Sequence, residues 1–586
     1  MNDKNIEGFK QARFGLFIHW GLYAIPGGRW KGERMEYIGE WLQSKFRIPN
    51  AEYAELAQQF NPRYFNAEEW VECAQAAGMA YIVFTAKHHD GFAMYHSRVS
   101  PYNIVDATPF GRDVLRELAN ACKLHGMKLG IYYSHCLDWH ESDGADPGPD
   151  CDKNFNMSWG NDWDFSEFKQ KEFSRYLKTK AFPQIQELLT DYGPVFLLWF
   201  DCPIQITRQQ CGELRSLVKS LQPDCLISGR IGHGMGDFGN LGDNQMPVGN
   251  PGFPLESANT INHTWGYKKD DHQWMDAKSV IAGLLSTNER DVNYLLNVGP
   301  RADGRLPEAA VDVLAEVGNW RKRWDVQIQN TAPNPFPQQF PWGWCTTCGR
   351  TLQFFIKDAK TELAINGIDG EIESCTLPFE HHDKTLLFSL PKQDDELPVV
   401  VKVTFAQKPL IDSLLTLRDG ILQLSPVKGK ILYGTATAVG SPKQSFGAAA
   451  EVLATGGRCS LGNNGALTQW HHAGDGLCWQ IRIPEKGLYE IQVTTINRRH
   501  SAPWCGLRTV RIEFNGQCIE KKLEPTRMLK ESYYHGAVSN IGILEIAAPE
   551  CGLLTLTTQA VSSQEAIDME LTSVDILSTQ NREKQK

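Results

Sequence analysis

Four times between residues 66 and 230 an amphipathic stretch ends at a glycine or proline and an apolar run follows it. The first stretch, "NAEEWVECAQAAG", offers Asn66 as N-cap with Glu69 three residues on, the spacing of a capping box, and stops at Gly78, a residue suited to the left-handed position after a helix. "AYIVFTAKHHD" follows without alternation, as a strand buried on both faces does. "GRDVLRELANACKLHG" opens near Asp113, ends at Gly126 and leads into "MKLGIYYS". A longer amphipathic stretch stops at Gly193 before "PVFLLWFD", and "QQCGELRSLVKSLQPD" precedes "CLISGR". An early strand "RFGLFIHW", a segment around "LESANTIN" and a late strand "DVNYLLNVG" bring the count to seven or eight. Strands alternating with helices in this number predict an irregular (β/α)8-type barrel over residues 1–330 rather than an open sheet. No G-x-G-x-x-G follows the first strand, which weakens a dinucleotide-binding reading.

The period changes near residue 330. "NTAPNPFPQQFPWGW" is a proline-rich linker, and beyond it "TLQFFIKD", "TELAING", "KTLLFSLP" and "PVVVKVTF" alternate with period two. These predict a β-sandwich over 331–410 and, from "LCWQIRIPEKGLYEIQVTTI", "LRTVRIEFNGQCI" and "GLLTLTTQ", a second one over 411–580. Two readings of the last region stand: a carbohydrate-binding module with Trp470, Trp479 and Trp504 as its platform, or a scaffold that buries them. The tail "STQNREKQK" reads as disordered.

Charge narrows the partners. A net charge of −10 argues against nucleic acid or an anionic membrane, and no apolar run reaches the roughly 18 residues of a transmembrane helix. The opening "MNDKNIEGFKQARFG" has no leader-like apolar segment. That leaves the compartment open, cytoplasmic, or periplasmic or secreted if a signal was removed from a precursor. Fifteen cysteines form no framework spacing, and "CTTC" at Cys345–Cys348, without a second pair, does not read as a zinc site.

In a barrel enzyme the C-terminal ends of the strands build the active site. The apolar runs here end in His19 and Trp20, in His88, His89 and Asp90, in Tyr132, Tyr133, Ser134 and His135, in Asp201, and in Arg230; the late segment adds Glu256, Trp265 and Tyr267. Flat apolar faces beside directional hydrogen-bond groups suit a sugar, which has a C–H face and a ring of hydroxyls. Twelve of the 17 tryptophans fall in the first 330 residues, so the aromatic weight lies in the barrel. Two carboxylates, Asp201 and one more, supply a nucleophile and a general acid for glycosidic chemistry. A second reading assigns His19, His88, His89 and Asp201 to a zinc or iron ion in a hydrolytic barrel. Against it, "FIHWG" holds one histidine where H-x-H is expected, and adjacent His88 and His89 on an extended strand point to opposite faces unless the backbone turns. A third reading is a non-catalytic sugar-binding protein, whose mark is a missing acid.

The sequence resembles the retaining α-L-fucosidases of glycoside hydrolase family 29 in "RFGLFIHWGLYAIPGG", "EWLQ", "FTAKHHDGFAMYHS", "GIYYS", "LLWFD", "GRIG", "TWGY" and "NYLLNVGP", in order from about residue 12 to 325. The resemblance implies a barrel followed by a β-sandwich, and hydrolysis of terminal α-L-fucose from fucosylated glycans with retention and without cofactor or metal. Carried over by motif, Asp201 is the nucleophile, and His19, Glu40, Trp41, His88, His89, Tyr133, Trp199, Arg230 and Trp265 hold the fucose. The acid is expected at Glu256, 55 positions beyond Asp201, in "LESANTINHTWGY", where the family's usual tryptophan before the glutamate is replaced; Glu289, in "STNERDVNYLLNVGP", is the rival.

Overall fold

The computed structural model describes residues 3–147, 157–167, 170–357, 362–391, 396–433, 459–498, 502–506, 508–530, 534–561 and 568–580. Part of the loop 136–163 (residues 148–156) and the end of the tail (581–586) lie outside them. The chain forms two compact units. The first is built from residues 1–242, 254–284 and 293–330, the second from 243–253, 285–292 and 331–586.

Eight strands make the first architecture: β1 (Phe14–Ile18), β2 (Tyr81–Lys87), β3 (Lys128–Ser134), β4 (Leu197–Asp201), β5 (Leu226–Ile227), β6 (Gly239–Asn240), β7 (Leu255–Thr260) and β8 (Val292–Val298). Their order in the sheet is β5-β4-β3-β2-β1-β8-β7-β6, and the pairings β1–β8, β1–β2, β2–β3, β3–β4, β4–β5 and β6–β7 are parallel. A parallel bridge between Ser228 and Phe238, just past β5 and just before β6, joins the two edges. The sheet is thus a sequentially wound ring in which β5 and β6 are two residues each, the irregular arc of the barrel. Every residue of β1, β2, β4, β7 and β8 is buried, which accounts for their apolar runs without alternation.

The helices end where the sequence places their stops. In α1 (Ala67–Ala77) the Asn66 side chain accepts from the backbone N–H of Glu68 and Glu69, and Gly78 closes the helix at φ 92°, a conformation that penalises a Cβ. Asp113 caps α2 (Val114–His125), which stops at Gly126 with φ 66°. Among the described residues no helix is long and apolar enough to cross a membrane.

The larger sheets of the second unit are antiparallel except where Leu415–Thr416 runs parallel to Ile481–Arg482. Residues 331–410 supply a four-stranded and a three-stranded sheet, and the residues beyond supply a six-stranded and a seven-stranded sheet that share one core. Trp470 and Trp479 are in that core, fully buried, and their indole N–H groups donate to the carbonyls of Met569 and Ser425. Trp504 is partly buried against the same core and donates to Thr495 Oγ1. The three rings face inward and form no exposed platform, so the scaffold reading fits their placement. Trp470→Ala is expected to cost about 3–5 kcal/mol of stability through the cavity it leaves. Thermal unfolding checks this: a lowered Tm with unchanged catalytic activity is the expected pair of results.

Candidate active site

Asp201 ends β4, where the alternation Leu197, Trp199, Asp201 puts Trp199 and Asp201 on one face. β3 runs in register beside it, Tyr132 opposite Trp199 and Ser134 opposite Asp201. Arg230, in a single helical turn after β5 (Gly229–Ile231), donates from Nη1 to Asp201 Oδ1 at 2.9 Å. Tyr132 Oη donates to Oδ2 at 2.9 Å, and His89 Nε2 lies 3.8 Å from the same oxygen. Burial alone pushes the Asp201 carboxyl up. The charge and hydrogen bond of Arg230 and the hydroxyl of Tyr132 outweigh that cost and hold it below the usual aspartate range. The acid at the end of a buried strand is therefore ionised and fixed in direction.

His88 and His89 both reach this face. The β2–β3 register shifts between Thr85 and Lys87, and the strand ends at Lys87, so the pair leaves the extended geometry that would have opposed their rings. Their centroids are 4.1 Å apart. His19, just past β1, meets His88 edge-on at 5.7 Å and Tyr132 at 5.3 Å. Burial, followed by neighbouring positive groups, holds His88 and His89 well below the ordinary histidine range, so both are neutral.

Hydrogen bonds fix two tautomers. Asn297 Nδ2 donates to the Trp265 carbonyl, so its Oδ1 is the acceptor for His19 Nδ1 at 2.7 Å. Ser134 Oγ donates to the Leu137 carbonyl and accepts from His89 Nδ1 at 2.7 Å. In both rings Nδ1 carries the proton and Nε2 is an acceptor, the state that receives a sugar hydroxyl proton. His88 Nδ1 is buried without a hydrogen-bond partner. Asn297→Ala is expected to release the His19 tautomer and lower kcat/KM about tenfold or more, mostly through KM; steady-state kinetics measures it.

Three tryptophans lie around this group. Trp265 lies 5.2 Å from His19, and Trp41, in the turn Gly39–Trp41, meets His89 edge-on at 5.1 Å. Glu40 is buried and accepts the Gly266 N–H at 2.8 Å, which ties that turn to the Trp265 loop. Trp199 lies under Arg230, whose guanidinium carbon is 4.7 Å from the ring centroid.

Three expectations are placed elsewhere. Tyr133 points away from Asp201: its hydroxyl donates to Gln184 Oε1 at 2.7 Å, and the Lys87 ammonium lies 4.8 Å from its ring. Strand alternation gives the inward place to its neighbour Tyr132, which the motif reading passed over. Glu256 is the second residue of β7, not a rim residue. It is fully buried, its Oε2 accepts from Tyr81 Oη at 2.7 Å, and its Oε1 accepts from Trp199 Nε1 at 2.7 Å and Asn240 Nδ2 at 3.3 Å. Burial, tempered by these donors, pushes its carboxyl up to about 7. Glu289 belongs to the second unit, where it is ion-paired with Arg290 at 2.7 Å.

Among the described residues, ligand atoms of His89, Asp201 and Cys202 lie within 4.8 Å of one another. The set suits a metal poorly. Both Asp201 oxygens already accept strong hydrogen bonds, one from a guanidinium that repels a cation. His19 and His88, which the metal reading needed, are not among the three.

Comparison with known proteins agrees with this geometry. The family profile described as "Alpha-L-fucosidase" matches residues 1–325. Tissue alpha-L-fucosidase of Mus musculus is 28% identical over 443 residues, 68% of this chain and 90% of that protein. The crystal structure of an alpha-L-fucosidase from Vibrio sp. strain EJY3 superposes with a TM-score of 0.79 at 25% identity, over 98% of each chain. An alpha-L-fucosidase of Lactobacillus casei, solved with its alpha-L-fucose product, is 43% identical with a TM-score of 0.53, covering 55% of this chain and 99% of that one. An Asp-to-Ala variant of the same bacterial enzyme has been solved with Fuca(1,6)GlcNAc.

Proposed function

The chain belongs to the alpha-L-fucosidase family and is a glycoside hydrolase that acts on fucosylated substrates, and on that premise we propose that it works by double displacement with Asp201 as the nucleophile. The observation that carries this reading is the Asp201 carboxylate, ionised and aimed by Arg230 and Tyr132 at the end of β4. In the first step an Asp201 oxygen attacks the anomeric carbon of α-L-fucose, the bond to the aglycone oxygen breaks, and a proton is delivered to that oxygen. In the second, water loses a proton, attacks the same carbon from the other face and displaces Asp201, giving net retention. His19 and His89 accept hydroxyl protons from the sugar through Nε2, and Trp41, Trp199 and Trp265 supply apolar faces. The natural substrate is the non-reducing α-L-fucose of a glycan; the Lactobacillus casei complex makes the α1,6-fucosyl-N-acetylglucosamine linkage the first to assay. Release of free fucose from a panel of α1,2-, α1,3-, α1,4- and α1,6-fucosides, against the matching α-galactosides, tests the substrate class.

The proton donor in a retaining enzyme stands about 5–5.5 Å from the nucleophile. Both Glu256 oxygens are engaged below the rim, which argues against it. A carboxylate other than Glu256 therefore supplies the proton. Added azide identifies it. A variant lacking the donor still forms the intermediate from an aryl fucoside with a good leaving group, and azide, needing no base, then yields the α-fucosyl azide. The α-azide is expected from the variant that lacks that carboxylate and not from Glu256→Ala or Glu289→Ala.

No metal is needed for these steps. Dialysis against EDTA is expected to leave kcat/KM unchanged; activity lost and then restored by zinc or iron would favour the metal reading.

A further inference from the structure

Glu256 lies in the barrel interior with three donors converging on it, Tyr81 Oη, Trp199 Nε1 and Asn240 Nδ2. The indole N–H is the only polar group of the Trp199 side chain, and its bond to Glu256 Oε1, at 2.7 Å, fixes the rotation of the ring. Two groups rest on that ring. Tyr132 stacks on it at 5.6 Å and 22°, and the Arg230 guanidinium carbon lies 4.7 Å from its centroid. These are the two side chains that hold Oδ2 and Oδ1 of Asp201.

We propose that Glu256 is a positioning residue for fucoside hydrolysis: by anchoring the Trp199 indole it sets Tyr132 and Arg230, and through them the direction and ionisation of the Asp201 carboxylate. This rests on Asp201 as the nucleophile, which the Asp201→Ala variant tests separately. The position of Glu256 on β7 explains why an acid is kept there at the cost of burial: indole N–H and phenol O–H both need an acceptor in the barrel interior. A glutamine can serve as well, its amide oxygen accepting from Trp199 and its NH2 donating to the Tyr81 hydroxyl.

The test is the pH profile of kcat/KM for Glu256→Ala and Glu256→Gln, measured on an aryl fucoside with a good leaving group and on a fucosyl disaccharide. Glu256→Ala is expected to lower kcat about tenfold to a hundredfold on both substrates alike, as a small misplacement of reacting groups does. Its acid limb should move to higher pH, because Asp201 loses part of the hold that keeps it ionised. Glu256→Gln should keep the limb in place and most of kcat. A merely structural role would lower the fraction of folded enzyme and leave the limb unmoved. If Glu256→Ala does not fold, Trp199→Phe, which removes the anchored N–H, should show the same limb shift. An unmoved limb in the variant that folds overturns the proposal. So does a limb in Glu256→Gln shifted as far as in Glu256→Ala, or a loss confined to the poor leaving group with α-fucosyl azide as the rescue product.

Discussion

Asp201→Ala is expected to lose activity on the order of 10⁴- to 10⁶-fold and to regain part of it with azide, as β-fucosyl azide. Removing the side chain abolishes the covalent intermediate and leaves a space at the end of β4 of about the size of the lost carboxylate. Azide in that space attacks the anomeric carbon of the bound α-fucoside directly, in one displacement, so the product is inverted. The rest of the pocket survives the change: His19 and His89 are oriented by Asn297 and Ser134 rather than by Asp201. A β-azide therefore reports the loss of the nucleophile alone. Wild-type turnover in this variant would remove Asp201 from the chemistry.

Arg230→Ala carries the second large effect, and its pH dependence has a defined sign. Arg230 is the main group that offsets the burial of Asp201 and holds its carboxyl below the usual range. Without the guanidinium, burial prevails and the carboxyl rises. The ionised nucleophile is then lost at a higher pH, so the acid limb of kcat/KM moves up and the variant's deficit deepens as pH falls. Removing one partner of a buried ion pair costs about 3–5 kcal/mol, equivalent to roughly a 10²- to 10³-fold effect or more if it falls on the reacting state. Arg230→Lys restores a charge but not the guanidinium's planar contact with Trp199, and should recover only part of the limb. A pH profile of Arg230→Ala parallel to wild type would separate Arg230 from the ionisation of Asp201.

Much of the fold was legible because the barrel strands are buried on both faces and their helices are punctuated by Asn66, Gly78, Asp113 and Gly126. The two-residue strand β6 was not, since Gly239–Asn240 presents no apolar run to register, whereas β5 was visible within "CLISGR". At the site, motif position named Asp201, Arg230 and the histidines, which the structure brings together. It missed Tyr132 because "GIYYS" holds two tyrosines, and only the register of β3 against β4 decides which one faces Asp201. The signal was present as period-two alternation, but its phase was not. Glu256 was misplaced for a related reason: "LESANT" is itself strand β7, so its glutamate stands near the strand's beginning rather than beyond its end. Asn297 and Ser134 carry no motif of their own; their role appears only once β8 and β3 are seen beside His19 and His89.

The central claim is a covalent fucosyl-enzyme on Asp201, and trapping it is the most direct measurement. Incubation with 2-deoxy-2-fluoro-α-L-fucosyl fluoride, whose C2 fluorine slows both steps while its anomeric fluoride, a good leaving group, lets the first proceed, followed by proteolysis and peptide mass spectrometry, locates the attached sugar. The account predicts time-dependent inactivation with one fluorofucosyl group on the peptide containing "LLWFDCP", at Asp201. A label on any other carboxylate, or a first-formed product of inverted configuration by NMR, would contradict it.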